Sequence, residues 1–217
     1  MSRITKIVLV VWALALIGAG AWIAQDALLK PEPTMSSEQR GFFTTESAAS
    51  IGGPFQLTDQ NGRKRSSAEF RGKTMLIYFG FTYCPDVCPT ALTVMTTALD
   101  QLGEQADAVV PILITVDPER DTVAVLKDYV AQFSPRIVGF TGSEREIAEV
   151  AKLFRVYYAK SPGSGGAPYL MDHTSLVYLM DQNGRFATHF THNSRAEDMV
   201  AAVRKLLANP PKQAVSN

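Results

Sequence analysis

The sequence predicts an α/β domain, a sandwich layered around a mixed β-sheet, set behind one N-terminal transmembrane helix. Three observations carry this reading. Short apolar runs near 75–79, 109–116 and 136–140 alternate with stretches whose apolar residues recur at helical spacing, as in a sheet covered by helices. The alternation ends in a hairpin signal and a last helix, which adds antiparallel strands to parallel ones. Ile7–Ala24 is an uncharged run of 18 residues, about 27 Å long as a helix and so close to the thickness of a bilayer's hydrocarbon.

The N-terminal run is flanked by Arg3 and Lys6 on one side and has Trp22 near its far end. The positive-inside rule keeps residues 1–6 cytoplasmic and exports the rest of the chain beyond the membrane span. This predicts a single-pass protein of the inner (cytoplasmic) membrane with its soluble domain on the periplasmic side. A cleaved signal peptide, with small residues at Ala19-Gly20-Ala21, is the alternative, and it also exports the domain. Residues 25–50 are poor in large aliphatics, contain Pro31 and Pro33, and read as a tether; the Phe42-Phe43 pair within it has no assigned role. The folded domain is expected over 51–209, and 210–217 is a tail.

The 217 residues carry 21 basic and 21 acidic side chains, a formal net charge of zero. No basic patch points to nucleic acid. Hydrophobic residues at 46% supply a core for one domain. Two cysteines are too few for a disulfide framework, so a functional pair is the economical reading.

In chain order, Phe55–Thr58 alternates as a strand, and Asn61-Gly62 signals a hairpin turn. The string Asp59-Gln60-Asn61-Gly62-Arg63 recurs as Asp181-Gln182-Asn183-Gly184-Arg185, one turn chemistry used twice. Met75–Phe79 is a strand. A helix then runs to about Leu102 with Leu92, Met95, Leu99 and Leu102 on one face. Val109–Val116 is continuously apolar, as a central strand is, although Pro111 suggests an edge or a bulge at its start. A helix over 122–133 buries Val123, Leu126, Val130 and Phe133, with Asp121 as its cap. Ser143-x-x-Glu146 is a capping box before Ile147, Val150, Ala151 and Phe154. Residues 160–170, with Pro162, Gly163, Gly165, Gly166 and Pro168, read as a mobile surface loop. A hairpin of Ser175–Met180 and Arg185–Phe190 comes next. Ser194-x-x-Glu197 caps the last helix, which Asn209-Pro210-Pro211 ends.

Chemistry concentrates where the first central strand gives way to a helix, in Cys84-Pro85-Asp86-Val87-Cys88-Pro89. Each cysteine precedes a proline, which disfavours the α region. Pro89 is expected as the first helical residue and Cys88 as its cap, where unpaired N–H groups and the helix dipole favour a thiolate. Two soft sulfurs on one loop suit copper(I), zinc or a disulfide. A thiol pair at the first strand–helix junction of such a sheet is the thioredoxin plan, with three residues between the cysteines in place of two.

Of the three histidines, His173 enters the strand before the last hairpin, and in a thioredoxin-like sheet that segment lies beside the thiol loop. His173 is therefore the candidate third ligand. Two thiolates and an imidazole match copper(I), whereas closed structural zinc calls for a fourth ligand. Met171, two residues earlier, is a weaker candidate donor. His189 and His192 are expected to be exposed. Asp117, at the end of the central strand, is a candidate for orienting a ligand or partner.

Four segments together resemble the SCO/SenC family: Tyr78–Thr90 (YFGFTYCPDVCPT), Val116–Asp121 (VDPERD), Phe133–Gly142 (FSPRIVGFTG) and Asp172-His173-Thr174. The resemblance covers roughly residues 50–208. It implies a membrane-anchored, thioredoxin-like copper chaperone serving the binuclear copper centre of cytochrome c oxidase, with Cys84, Cys88 and His173 as copper ligands. The implied partners are the oxidase subunit that carries that centre and other copper carriers or thiol reductants. A thiol–disulfide oxidoreductase, with Cys84 and Cys88 as its redox pair, is the competing function, so enzymatic activity stays open.

Overall fold

A computed structural model of the chain describes residues 51–163 and 168–210. The expected membrane helix, the tether and nearly all of the tail lie outside these residues. Among the described residues no helix is long and apolar enough to cross a membrane.

The elements are β1 Gln56–Asp59, β2 Lys64–Ser66, β3 Thr74–Gly80, α1 Val87–Leu102, β4 Val109–Thr115, α2 Val123–Ala131, β5 Val138–Thr141, α3 Glu144–Leu153, β6 Tyr158–Ser161, β7 Leu170–His173, β8 Val177–Met180, β9 Phe186–Phe190 and α4 Ala196–Ala208. Short 3₁₀ turns come after β2 and α1. Seven strands form one mixed sheet in the order β2-β1-β5-β4-β3-β8-β9, and β6 and β7 pair as a separate two-stranded ribbon. Within the sheet β5, β4 and β3 are parallel, while β1 and β8 join antiparallel.

Every residue of β3 and of β4 is buried. Successive side chains point to opposite faces, so both faces of these strands are covered, and this is why their sequences are continuously apolar. Leu76, Ile77, Leu113 and Ile114 are fully buried there, each contributing about 1.5–3 kcal/mol by leaving water. Pro111 lies inside this central strand opposite Leu76, not at an edge. The β4–β5 ladder starts only at Ile112, so Pro111 has a partner strand on one side.

The helix faces largely follow the spacing: Leu92, Met95, Leu99 and Leu102 of α1, Leu126 and Val130 of α2, and Met199 and Val203 of α4 are buried, whereas Val123 and Phe133, expected inward, are half-buried, and α2 ends at Ala131, before Phe133. The repeated turn is one device. The Asp59 carboxylate accepts the N–H groups of Asn61 and Arg63, and the Asp181 carboxylate accepts those of Asn183 and Arg185, all at 2.8–2.9 Å. The Ser143–Glu146 capping box forms as expected.

Three boundaries differ. Thr122, not Asp121, caps α2 by accepting the Val125 N–H, because Asp121 is fully buried and otherwise engaged. α4 is capped one residue later than expected: the Asp198 carboxylate accepts the Arg195 N–H at 2.8 Å, while the Ser194 hydroxyl takes the N–H of Thr191. The stretch read as loop from 160 to 170 begins and ends in the strands of the ribbon, in register Ser161↔Leu170. Their half-exposed side chains have no clean period to betray them. Residues 164–167 of that stretch lie outside the described ones.

Candidate metal centre

The sheet brings three segments to one end. β3 and β4 run parallel with Gly80 opposite Thr115, and the Val116 N–H donates to the Gly80 carbonyl at 2.8 Å. β8 runs antiparallel and begins with Val177 opposite Tyr78. The thiol loop after β3, the acidic loop after β4 and the segment 173–176 entering β8 therefore share one edge of the domain.

α1 begins at Val87, with Asp86 in the cap position. Cys88 is thus the second helical residue, not the cap, and Pro89 is the third, where a missing N–H costs nothing. The capping role falls to the other cysteine. Asp86 offers no side-chain cap, and the Cys84 sulfur accepts the Cys88 N–H at 3.4 Å. Cys84 is 8% exposed and Cys88 is fully buried. The hydrogen bond from the Cys88 thiol and the N–H groups of Asp86 and Cys88 hold Cys84 down to about 4, against its partial burial. That same bond, together with burial, pushes Cys88 far above an ordinary thiol. The outer sulfur is thus the readier thiolate of the pair and the inner one the more reluctant.

Two residues overlooked in the sequence shape this pocket. The Tyr78 phenol donates to the Cys88 sulfur at 3.6 Å. Gly80 lets the strand pass close: a Cβ there would lie 2.7 Å from the Tyr78 ring and 3.1 Å from the Cys88 sulfur. Both sit in an apolar run that reads simply as core.

His173 ends β7, and its Nε2 lies 3.7 Å from the Cys88 sulfur, the proximity expected from its place in the chain. Its Nδ1–H donates to the Thr174 carbonyl at 3.2 Å, which in the neutral ring leaves the lone pair on Nε2, facing the sulfur. Phe81 and Tyr78 pack edge-on against the imidazole at 5.8 and 6.1 Å. Among the described residues, no three His, Cys, Asp or Glu side chains stand close enough to make a finished metal cage. A capped thiolate and a sulfur–imidazole contact are the parts present.

The acidic loop does two jobs. Asp121 accepts the Thr82 N–H at 3.1 Å, the Thr82 hydroxyl at 2.6 Å and the Thr115 hydroxyl at 2.6 Å, tying the start of the thiol loop to β4. Burial pushes its carboxyl above the usual range against those hydrogen bonds. Asp117 is buried, pairs with Arg120 and accepts the Tyr169 hydroxyl at 2.9 Å. The remaining candidates lie elsewhere. Met171 is buried and lines a hollow with Val116, Asp117, Glu144 and Tyr158. His189 is exposed and stacks on Phe186. His192, also exposed, borders a small hollow with Tyr78, Val87 and Ser175.

A model of the SCO1/SenC family matches residues 43–208. The chain belongs to the SCO1/SenC family. The match starts inside the stretch read as tether, at Phe43. An SCO2-like protein of Rickettsia conorii is 39% identical over 204 residues, 94% of this SCO1/SenC chain and 97% of that one. Bradyrhizobium japonicum ScoI, solved with copper bound, is 48% identical; the match covers 71% of this chain and 98% of that one with a TM-score of 0.66. BsSco, a member of the Sco family of cytochrome c oxidase assembly proteins in which a disulfide switch was identified, is 27% identical, covering 74% and 95% of the two chains at a TM-score of 0.58. The SCO1/SenC family thus contains copper-binding proteins and proteins of cytochrome c oxidase assembly, and the thioredoxin-like arrangement of mixed sheet and helices is shared with them.

Proposed function

We propose that this SCO1/SenC protein is a membrane-anchored metallochaperone that carries copper to the binuclear copper centre of cytochrome c oxidase, with Cys84, Cys88 and His173 as the ligands of its cargo. The observation that supports it most is the 3.7 Å approach of the His173 Nε2 to a sulfur whose partner thiol already caps the same helix. One ion with bonds of about 2.3 Å to sulfur and about 2.0 Å to imidazole nitrogen can span that separation. Two soft thiolates and one imidazole suit copper(I), and three donors leave room for a partner's ligand to enter. Family membership and the copper-bound ScoI relative point the same way. The membrane anchor rests on the uncharged run 7–24.

Titration of copper(I) into the reduced protein tests this. One equivalent is expected to bind, and Cys84→Ser or Cys88→Ser is expected to reduce binding to background. Cysteine-independent binding, or none, would falsify the reading.

A second function is favoured by a different observation, the slightly exposed Cys84 sulfur that accepts the Cys88 N–H at the helix start, with its thiol held down and that of the buried Cys88 pushed up. In thiol–disulfide exchange the Cys84 thiolate attacks one sulfur of a partner disulfide and displaces the other as a thiolate. Cys88, after losing its proton, then attacks the mixed disulfide, which leaves the partner reduced and the pair oxidised. The partner in this reading is the same copper-site subunit, whose cysteines would be reduced before loading. His173→Ala separates the two functions: copper binding depends on the imidazole and disulfide exchange does not.

A further inference from the structure

The two halves of the candidate centre are mounted on different pieces of structure. The thiol loop hangs from the seven-stranded sheet, whereas His173 ends a strand of the separate β6–β7 ribbon. Something must hold that ribbon over the thiols, and beyond the apolar packing of Met171, Tyr158 and Leu170 the polar and ring contacts converge on Arg120. Its Nε donates to Asp117, and its Nη1 donates to the Tyr169 carbonyl at 2.8 Å, immediately before β7. Its guanidinium lies 3.8 Å from the centre of the Tyr169 ring and 4.9 Å from that of Tyr83, next to Cys84. The Tyr169 hydroxyl closes the circle by donating to Asp117 at 2.9 Å and standing 3.3 Å from Glu119, which pairs with Lys160 of β6 at 2.6 Å. One planar cation thus touches the acidic loop, the thiol loop and the ribbon, using donor directions and flat faces that a lysine lacks.

We propose that Arg120, with Asp117 and Tyr169, is the clamp that sets the His173 arm in register with the thiols. Arg120 is a positioning residue for the copper site: it supplies no ligand, and its loss frees the arm. This deepens the metallochaperone reading and rests on it for its copper readout only. Closed, the clamp keeps the imidazole beside the Cys88 sulfur; open, it leaves the two sulfurs alone, which makes the arm the natural first point of release when a partner takes the ion.

The test uses the full-length reduced protein. In the metal-free state, hydrogen exchange of the β6–β7 amides in Arg120→Ala is expected to be at least about tenfold faster than in the parent, with β3 and β4 unchanged. Copper(I) affinity, read by competition with a chromophoric chelator, is expected to fall about tenfold or more in the parent background and to be unaffected by the same change in a His173→Ala background. Arg120→Lys is expected to rescue little of either effect. Tyr169→Phe keeps the ring over the guanidinium and is expected to shift both readouts in the same direction by less, which also serves if Arg120→Ala folds poorly. The proposal is overturned if arm exchange stays at the parental rate in both variants, or if Arg120→Ala weakens copper binding equally with and without His173. If no variant and no parent binds copper, the metallochaperone reading fails while the exchange data still decide the clamp.

Discussion

The thiol half and the imidazole half of the candidate centre are held by different physics. Cys84 and Cys88 come after a strand with neighbours on both sides, buried along its whole length, and Cys88 is itself part of the core. His173 sits half-buried on a two-stranded ribbon whose other residues are mostly half-buried as well, with Met171 alone buried in the core. Displacing the sulfurs means disrupting the domain. Displacing the imidazole means breaking a handful of polar and ring contacts and the packing of Met171, Tyr158, Tyr169 and Leu170 against the edge of the core, and such local openings cost less than global unfolding. The metallochaperone proposed above would gain from this division, because one donor could leave while the rest of the cradle stays intact.

The largest way to strain this contrast is through the sheet. Leu113→Ala is expected to cost about 2–5 kcal/mol of global stability, seen as a lower midpoint in chemical denaturation. Lys160→Ala, which frees an exposed ribbon side chain from Glu119, should leave that midpoint nearly where it was while speeding exchange of the ribbon amides. Equal effects on the midpoint would erase the distinction.

Next comes the tie between the thiol loop and β4. Asp121→Ala strands the Thr82 N–H and the Thr115 hydroxyl at about 1–3 kcal/mol. The loss is expected to show as faster alkylation of Cys84, with the His173 arm undisturbed.

A pH series sharpens the comparison within the thiol half. Cys84 is already ionised above about 4, so the proton that copper must displace near neutrality resides on Cys88. Copper(I) affinity should therefore climb with pH by about tenfold per unit, one proton's worth, and fall more steeply below about pH 4 as Cys84 also takes up a proton. Cys88→Ala removes the largest stabiliser of the Cys84 thiolate, so the midpoint of Cys84 alkylation by iodoacetamide must move up in pH. An unchanged midpoint would mean that the sulfurs do not share a proton.

The smallest expected effect is a control far from both halves. Ser66→Ala opens the capping box of the 3₁₀ turn after β2, at the outer edge of the sheet, for about 1 kcal/mol, with copper binding and arm exchange as in the parent.

Much of this architecture is legible in the amino-acid sequence. Core strands of a covered sheet must be apolar at every position, and β3 and β4 are. Helix faces repeat at 3.6, and Leu92, Met95, Leu99 and Leu102 obey. Two cysteines flanked by prolines at a strand–helix junction mark chemistry because few other settings tolerate that arrangement. The overlooked parts are those whose local signal is ambiguous. Tyr78 and Gly80 look like filler in an apolar run. Arg120 and Tyr169 are 49 residues apart, and nothing near either one announces the other. The ribbon strands are too short and too evenly half-exposed to show a period.

Local chemistry and pattern were enough to give the element types, most of the buried faces, and the two cysteines and the histidine as candidates, since these depend on side-chain type and on spacing along the chain. Which cysteine caps the helix, which sulfur keeps the proton, and how the imidazole arm is clamped were decided by the folded chain alone. Those outcomes depend on where a third group lands, within a few ångströms, after strands distant in sequence have paired, and no short-range rule carries that information.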